Sequence, residues 1–343
     1  MLVSLPGDAA AAALGSMAAV VEAARPLTDA DRSALAAAHT IVFGLESSLD
    51  VDTLVRPTPA QLAVALGAGA TTTTDTAADA TTPAHDVVAL LVVMSTVDGV
   101  DDLTSAAAVG AFARALHVHE PAVADLRRVA DGHLRSARAD MLRRNRRSIT
   151  GDEHPHGTYG AWLMPYRDRP DPNLAARYQA LGALPEHTFG GTFHRFYVEH
   201  GFEFPGEADA PTEQFTTPHD STHVLSGYDT SVQGELLVST FTGGMHDVDA
   251  LAGHILPVIV SWHLGIGLTD LAGSTTGALD PRKFFVAWER GRAVRGDTFA
   301  ASFDFWANAP LPLDEVRSRM EVPPLRTEDA ADGVTPDWYE PSA

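Results

Sequence analysis

Two histidines and two carboxylates lie close together in the sequence TPHDSTHVLSGYDTSVQGELL, residues 217–237. His219 and His223 are four positions apart, Asp220 directly follows the first, and eleven residues separate the second from Glu235. Imidazole and carboxylate groups are the ligands that zinc and similar divalent metals bind when no cysteine is present. The pattern therefore predicts a metal site formed by these four side chains.

The residues before the first histidine predict the helix that would present it. Thr217 is a favourable N-cap and Pro218 fits the first helical position, so we expect a helix from Pro218 to about Gly227. At 100° per residue, such a helix places both histidines and Asp220 on one flank. Histidines in a first turn meet the positive end of the helix and stay neutral, which is the form that binds a metal.

A second helix is predicted to complete the site. Thr230 and Gln233 have capping-box spacing, so an antiparallel helix should bring Glu235 over the histidines. In the alternative, Thr217 and Asp220 are themselves a capping box and the histidines are ordinary polar surface. The apolar sequences VLSGY and LLVSTF favour burial of this flank, and buried histidines need a partner. We therefore favour the metal site.

Composition narrows the class of protein. The 343 residues include 24 basic and 45 acidic side chains, for a net charge of −21, which disfavours nucleic acid as a partner. Because there is no cysteine, disulfides, thiolate catalysis and cysteine-bound metals are excluded. The chain has no apolar run long enough to span a membrane and no basic N-terminal region of the signal-peptide kind, so a cytoplasmic location is expected.

Helical patterns throughout the chain predict an all-α fold with two helical domains. The first domain is expected over 1–148 and includes a Thr/Ala/Asp-rich stretch, 69–83, that we interpret as a mobile loop. Composition changes to proline, histidine and aromatic residues near Gly151, so the second domain is expected over 152–324. A Pro/Asp-rich tail, 325–343, is predicted to be disordered.

The first domain contains a recognisable helical hairpin. In HDVVALLVVMSTVDGVDDLTSAAAVGAFARALHV an apolar helix ends at Asp98-Gly99, and a second helix begins after an acidic turn. Over about 85–132 this resembles the TerB-like, tellurite-resistance helical domains; a generic helical hairpin is the alternative. The acids at 98, 101 and 102 are either a solvated turn or a cation site.

Arginines concentrate near the end of the first domain, within 127–147. Such a run is typical of a solvated helix face; the alternative is docking to an anionic lipid surface or to the acidic part of the same chain. The arginines in question are Arg127, Arg128, Arg135, Arg138, Arg143, Arg144, Arg146 and Arg147.

Other metal-binding families use related motifs. His-Glu-x-x-His peptidases have glutamate where this chain has Asp220, so a peptidase is disfavoured. A ferritin-like centre needs two Glu-x-x-His pairs, and the pair Glu153/His156 is interrupted by Pro155. A His-Asp-type metal phosphohydrolase remains an alternative, because further ligands are available among His187, His194, His200, Asp247 and Asp249.

The motif resembles the signature of the fourth Coq protein of coenzyme Q (ubiquinone) biosynthesis, which is His-Asp-x-x-His, eleven residues, then Glu. His219, Asp220, His223 and Glu235 match it in type and spacing. The resemblance covers about 158–324 and includes YRDRPDPNLAARYQALGALPEHTFGGTFHRFY before the motif and RGRAVRGDTFAASFDFWANAPLPLDEVRSRM after it. It implies a mainly helical domain with a divalent metal, usually zinc, acting on a polyprenylated hydroxybenzoate whose C1 carboxyl group is lost.

This resemblance implies a chemistry and a partner. The metal would act as a Lewis acid, with Asp220 and Glu235 as the catalytic carboxylates; an oxidative version, in which a hydroxyl replaces the carboxyl, would also need oxygen. A prenylated aromatic lipid or quinone precursor needs an apolar groove, and we expect a helix at 249–268 to form its wall through Leu256, Val258, Ile259 and Ile266. The alternative is a non-catalytic prenyl-lipid carrier or scaffold of a biosynthetic complex, in peripheral contact with a membrane.

Overall fold

The computed structural model describes residues 2–67, 82–99, 102–151, 162–268, 273–325, 329 and 332–334. Over these residues the chain is helical and has no β-strand, only three isolated bridges. The predicted all-α class is confirmed. Almost all of the predicted loop 69–83 and most of the tail 325–343 lie outside the described residues. No helix in the described part of the chain is both long enough and apolar enough to cross a membrane.

Two compact units make up the chain. One comprises Met1–Arg144 and Asp247–Glu289, and the other comprises Asn145–His246 and Arg290–Ala343. The predicted domains were two consecutive stretches that met near 150. The structure also divides the chain close to that point, and it groups the later segment Asp247–Glu289 with the first unit.

Seven α-helices lie between residues 7 and 150 in the described part of the chain. They are α1 (Gly7–Glu22), α2 (Asp29–Ala37), α3 (Pro59–Ala65), α4 (Pro83–Met94), α5 (Leu103–Ala115), α6 (Pro121–Ala130) and α7 (Leu134–Thr150). A π-helical turn, Ala38–Val42, extends α2, and a short 3₁₀ helix, Val51–Thr53, precedes α3. Helix α1 is buried along much of its length and packs on α3, α4 and α5.

The remaining helices in the described part of the chain include those that carry the motif. They are α8 (Pro172–Gln179), α9 (Phe189–His200), α10 (Glu213–Ser226), α11 (Val232–Met245), α12 (Leu256–Trp262), α13 (Pro281–Ala293), α14 (Phe305–Asn308) and α15 (Leu313–Arg319). A 3₁₀ helix, Ala180–Ala183, follows α8, and a π-helical stretch, Ala250–Ile255, leads into α12.

The predicted helical hairpin is present as α4 and α5, whose turn contains Gly99 at a φ of 79°. The acids of this turn make contacts within the fold. Asp98 pairs with Arg25 at 2.6 Å. Asp102 caps α5 by accepting a hydrogen bond from the Thr104 N–H at 2.7 Å. The third acid of the turn lies outside the described residues, and the TerB-like resemblance stays a prediction.

Part of the arginine run holds α6 to α7. The fully buried carboxylate of Asp125 accepts hydrogen bonds from Arg128 on its own helix and from Arg144 on α7. Asp140 pairs with Arg128 and, at 2.7 Å, with Arg143. Because a buried carboxylate needs charged partners, Arg128 and Arg144 are structural. Docking by the other arginines stays a prediction.

An aromatic core in the second unit supports α9. Phe189, Phe193, Phe196 and Tyr197 of this helix are all buried. The ring of Phe193 stacks on that of Tyr197 with centroids 4.9 Å apart and meets Phe305 of α14 edge-on at 4.8 Å. Val224 and Leu225 of α10 belong to the same core. The position of α9 beside α10 is therefore determined by extensive apolar packing.

Candidate metal centre

Helix α10 begins one turn earlier than the sequence predicted. It starts at Glu213, so Pro218 lies inside the helix and Thr217 is not its N-cap. A tertiary contact stabilises the additional turn: the Tyr178 hydroxyl lies 2.8 Å from Glu213 Oε1 and 2.6 Å from Thr217 Oγ1. The expected start at Pro218 is wrong because this contact, which no local pattern contains, outweighs the preference of proline for a first turn.

The capping-box alternative for the histidine motif is excluded by the same contacts. Thr217 is engaged by Tyr178, and Asp220 Oδ2 accepts a hydrogen bond from the Tyr197 hydroxyl at 2.5 Å. His223 is only 1% exposed, so it is not polar surface. The helix-terminus argument for neutral histidines is also wrong, because His219 lies in the middle of α10 and His223 lies in its last turn.

The start of α11 brings Glu235 to the histidines as predicted, although the cap is displaced by one residue. Ser231, rather than Thr230, is the N-cap, and it accepts a hydrogen bond from the Gly234 N–H at 3.1 Å. A Cβ atom on Gly234 would lie 2.1 Å from the carbonyl oxygen of Asp229. Glycine is therefore required at this position for α11 to begin so close to the preceding loop.

Three side chains converge at this hairpin. Glu235 Oε2 lies 3.7 Å from His219 Nε2, and Glu235 Oε1 lies 3.6 Å from His223 Nε2. One ligand atom from each of the three residues lies within 4.8 Å of the others, so the group could hold a metal ion. Two ligands of one tetrahedral zinc are separated by roughly 3.3 Å, given metal–ligand distances of about 2.0 Å. The two distances from Glu235 to the imidazoles are close to this value.

Hydrogen bonds to the other ring nitrogen orient both histidines. His223 Nδ1 lies 2.9 Å from the carbonyl oxygen of Tyr228, and His219 Nδ1 lies 3.0 Å from Asp220 Oδ1. Because a carbonyl oxygen can only accept, and a carboxylate accepts as well, each Nδ1 carries the hydrogen. In the neutral imidazole, each Nε2 is then left with a lone pair. His223 Nε2 is buried and has no hydrogen-bond partner among the described residues, so its lone pair is available to a metal ion.

The two imidazoles differ in their electrostatics. Burial lowers the pKa of His223, against the opposing charge of Glu235. Burial also acts to lower the pKa of His219, but the hydrogen bond to Asp220 and the charge of Glu235 outweigh it and raise that pKa. His223 is thus neutral at pH 7 and ready to bind a metal, whereas binding at His219 competes with a proton.

Asp220 contacts His219, a candidate ligand, instead of joining the group of three. Oδ1 faces His219, and Oδ2 accepts from Tyr197, whose pKa is raised well above its ordinary value by burial and by the charge of Asp220. The structure therefore brings all four predicted residues together but engages both oxygens of Asp220. Sequence reasoning missed Tyr197. The available signal was its place in an aromatic helix face, where a buried hydroxyl needs a partner.

The additional residues considered for a phosphohydrolase lie elsewhere. The ring of His194 stacks on Phe204 with centroids 5.3 Å apart, and His200 Nδ1 lies 2.8 Å from the carbonyl oxygen of Phe196. His187 is exposed. Asp247 and Asp249 belong to the first unit. Within the described part of the chain, none of these residues joins His219, His223 and Glu235 in a ligand group.

The segment proposed as a groove wall differs from its prediction. Instead of one helix over 249–268, the chain forms the π-helical stretch and then α12, which ends at Trp262. His263 follows the helix; its Nε2 lies 3.0 Å from the Thr96 carbonyl oxygen, and its Nδ1 accepts a hydrogen bond from the Leu279 N–H. Of the four side chains expected to form the wall, two are core residues with no exposed surface, Leu256 and Ile259.

Comparisons of the chain with protein-family models, curated proteins and solved structures gave no match. The site is therefore interpreted from its geometry and its motif, and the resemblance to the Coq family stays a prediction.

Proposed function

We propose that this chain is a metal-dependent protein of prenyl-quinone biosynthesis, with a divalent metal, most suitably zinc, held by His219, His223 and Glu235. The buried Nε2 of His223 carries the metal proposal, because it has no hydrogen-bond partner among the described residues and faces Glu235 at 3.6 Å. Two imidazoles and one carboxylate are the donor set of catalytic zinc sites that leave a position open for substrate.

The exposure of part of the site to solvent supports a functional role for the metal rather than a purely structural one. The side chains of His219 and Glu235 are 17% and 26% exposed, whereas His223 is closed off from solvent. Structural zinc sites are closed by four protein ligands, and catalytic sites keep a position free for water or substrate. A three-residue group that is accessible from one side therefore fits a site that binds a small molecule.

The proposed reaction follows from the Coq resemblance. In a polyprenylated hydroxybenzoate the bond from C1 to the carboxyl carbon breaks, CO₂ leaves, and a proton takes its place on C1, so the reaction needs an acid but no oxidant. A bound metal supplies Lewis acidity toward a carboxylate or phenolate oxygen. Asp220 and Glu235 are the carboxylates proposed to deliver this proton to C1. Glu235 is the more exposed of the two. The oxidative version would consume molecular oxygen as well.

A non-catalytic carrier of the same lipid class is the second candidate. Both oxygens of Asp220 are already engaged, by His219 and by Tyr197. Only Glu235 is then left to deliver a proton, and in this proposal it is also a metal ligand. This observation favours a site in which the metal holds the polar end of a prenyl lipid without breaking a bond.

Three measurements test the proposal. Elemental analysis of the purified chain should find one divalent metal per chain, and His223→Ala should lose it. Mass spectrometry of lipids extracted from the native protein should find a prenylated ring compound. Release of labelled CO₂ from a prenylated hydroxybenzoate, abolished by Glu235→Gln, would select the lyase, and a bound lipid without release would select the carrier. Metal-dependent hydrolysis of phosphate esters with no bound lipid would show that the chain is a metal phosphohydrolase.

A further inference from the structure

A buried tyrosine hydroxyl lies behind the ligand group. Tyr197 is 1% exposed, and its hydroxyl lies 2.5 Å from Asp220 Oδ2. Two rings stack on the ring of Tyr197: Phe193, with centroids 4.9 Å apart, and Phe204, with centroids 4.9 Å apart and planes inclined by 10°. The hydroxyl is therefore carried by a ring that has little freedom to move.

Asp220 connects this fixed hydroxyl to His219, the first of the proposed ligands. Its second oxygen, Oδ1, lies 3.0 Å from His219 Nδ1, so one carboxylate joins Tyr197 to the imidazole. Phe215 stacks on the ring of His219 with centroids 5.1 Å apart and planes inclined by 25°. Hydrogen bond and stacking together determine the direction of His219 Nε2. A carboxylate that accepts from a ligating histidine sets the tautomer and raises the basicity of the metal-binding nitrogen.

We propose that Tyr197 and Asp220 are positioning residues for the metal site, and that Asp220 acts through His219 rather than as a fourth ligand. This inference rests on the proposed function, because it assumes that His219, His223 and Glu235 bind a divalent metal. Removal of the Tyr197 hydroxyl should leave all three ligands in place and weaken metal binding through the orientation of His219 alone.

The chain offers a matched control in Tyr178. It is fully buried, and its hydroxyl also contacts α10, at Thr217 Oγ1 and Glu213 Oε1. These contacts end on the first turn of the helix, and none of the three residues belongs to the ligand group. Tyr178→Phe and Tyr197→Phe therefore remove the same atom from similar environments against the same helix. Of the two substitutions, Tyr197→Phe alone removes a hydrogen bond to a residue that contacts a proposed metal ligand.

The test is titration of the full-length, metal-free chain with Zn²⁺ against a competing chelator. We expect Tyr197→Phe to raise the Kd for Zn²⁺ severalfold, by less than the about 10-fold or more expected of Asp220→Asn, which loses the direct partner of a metal ligand, and Tyr178→Phe to leave it within about 2-fold of wild type. The visible absorption of bound Co²⁺, which reports the ligand set and its geometry, should change in Tyr197→Phe and not in Tyr178→Phe.

A double-mutant cycle separates action through Asp220 from an independent effect. If Tyr197 acts through Asp220, the combination Tyr197→Phe with Asp220→Asn should bind Zn²⁺ no more weakly than Asp220→Asn alone. If the increase in Kd of the double variant instead equals the product of the increases in the two single variants, the inference is overturned. So would a loss in Asp220→Asn as large as in His219→Ala, because that would make Asp220 a ligand.

The remaining outcomes are also decisive. If wild type binds Zn²⁺ and Tyr197→Phe binds it equally well with an unchanged Co²⁺ spectrum, the positioning role is wrong and the metal site stands. If wild type binds no divalent metal, the proposed function fails and this inference fails with it. Should circular dichroism show that Tyr197→Phe is unfolded, Asp220→Asn with its nearly identical shape takes its place, and wild-type affinity in that variant would overturn the proposal.

Discussion

Glu235 Oε1 lies 3.6 Å from His223 Nε2, across the hairpin that joins α10 to α11. The two residues belong to different helices, and His223 has its other nitrogen fixed by the Tyr228 carbonyl within the connection between them. The hairpin therefore positions both a ligand and the group that orients it. A short stretch of chain contains the three candidate ligands, which is why the site depends on the local geometry of this turn.

Glu235→Gln should raise the Kd for Zn²⁺ by about 10-fold or more, because an amide oxygen is a neutral and weaker ligand than a carboxylate. The side chain is 26% exposed, so the fold should be preserved. Isothermal titration of the metal-free protein measures the change. Glu199→Gln is the control, since that glutamate is 51% exposed and pairs with its helix neighbour Arg195. If both variants bind Zn²⁺ with the same affinity, Glu235 is not a metal ligand.

Gly234→Ala should impair both folding and metal binding. The added Cβ would lie 2.1 Å from the Asp229 carbonyl oxygen, so the start of α11 must move, and Glu235 moves with it. We expect a loss of about 1–3 kcal/mol in the free energy of unfolding, the range for overpacking, together with weaker Zn²⁺ binding. Urea unfolding and metal titration measure the two effects. Gly7→Ala is the control, because nothing lies within 4 Å of its added atom; the hypothesis fails if both variants behave alike.

Arg317→Met should destabilise the second unit by about 2 kcal/mol, the scale of hydrogen bonds made by a charged group. Its guanidinium donates to the Val224 and Leu225 carbonyls at 3.0 and 3.1 Å, at the C-terminal end of α10 where a positive charge is favourable. Urea denaturation followed by circular dichroism checks the prediction. Arg319→Met, on the same helix but 56% exposed, should change stability by less than about 0.5 kcal/mol.

Protonation of His263 should destabilise the chain in mild acid. Burial lowers the pKa of His263, although the Val97 and Thr96 carbonyls and the charge of Asp98 act in the opposite direction. Unfolded histidine has a pKa of about 6.5. As the pH falls below that value, the unfolded chain takes up a proton that folded His263 resists, so the free energy of unfolding decreases until the lower folded pKa is reached.

Urea midpoints at pH 7.5 and pH 5.5 measure this effect. His263→Gln cannot titrate, so the decrease in midpoint between the two pH values should be smaller in that variant than in wild type. The geometry gives the reason, because Nδ1 accepts the Leu279 N–H and a proton on that atom would break the bond. The same decrease in both proteins would show that other groups cause the acid sensitivity.

The sequence by itself determined the helical class and included the three residues of the candidate ligand group among the four that it predicted. Alanine-rich periodic segments, the capping residues and the Asp98-Gly99 turn are local signals, and α4 and α5 form the expected hairpin. The four-position spacing of His219 and His223 is a property of any helix, so both were expected on one flank wherever the helix began. The return of Glu235 required only that two helices be joined by a short turn.

Only the tertiary structure decided how those residues are used. Helix α10 begins at Glu213 because Tyr178, from a helix earlier in the chain, hydrogen-bonds to its first turn. Asp220 faces His219 and Tyr197 because the aromatic packing of α9 places a buried hydroxyl beside it. These contacts join residues 23 and 35 positions apart in sequence. Periodicity and capping rules describe neighbours within a few residues, whereas the partner of a buried polar group depends on which helices pack together.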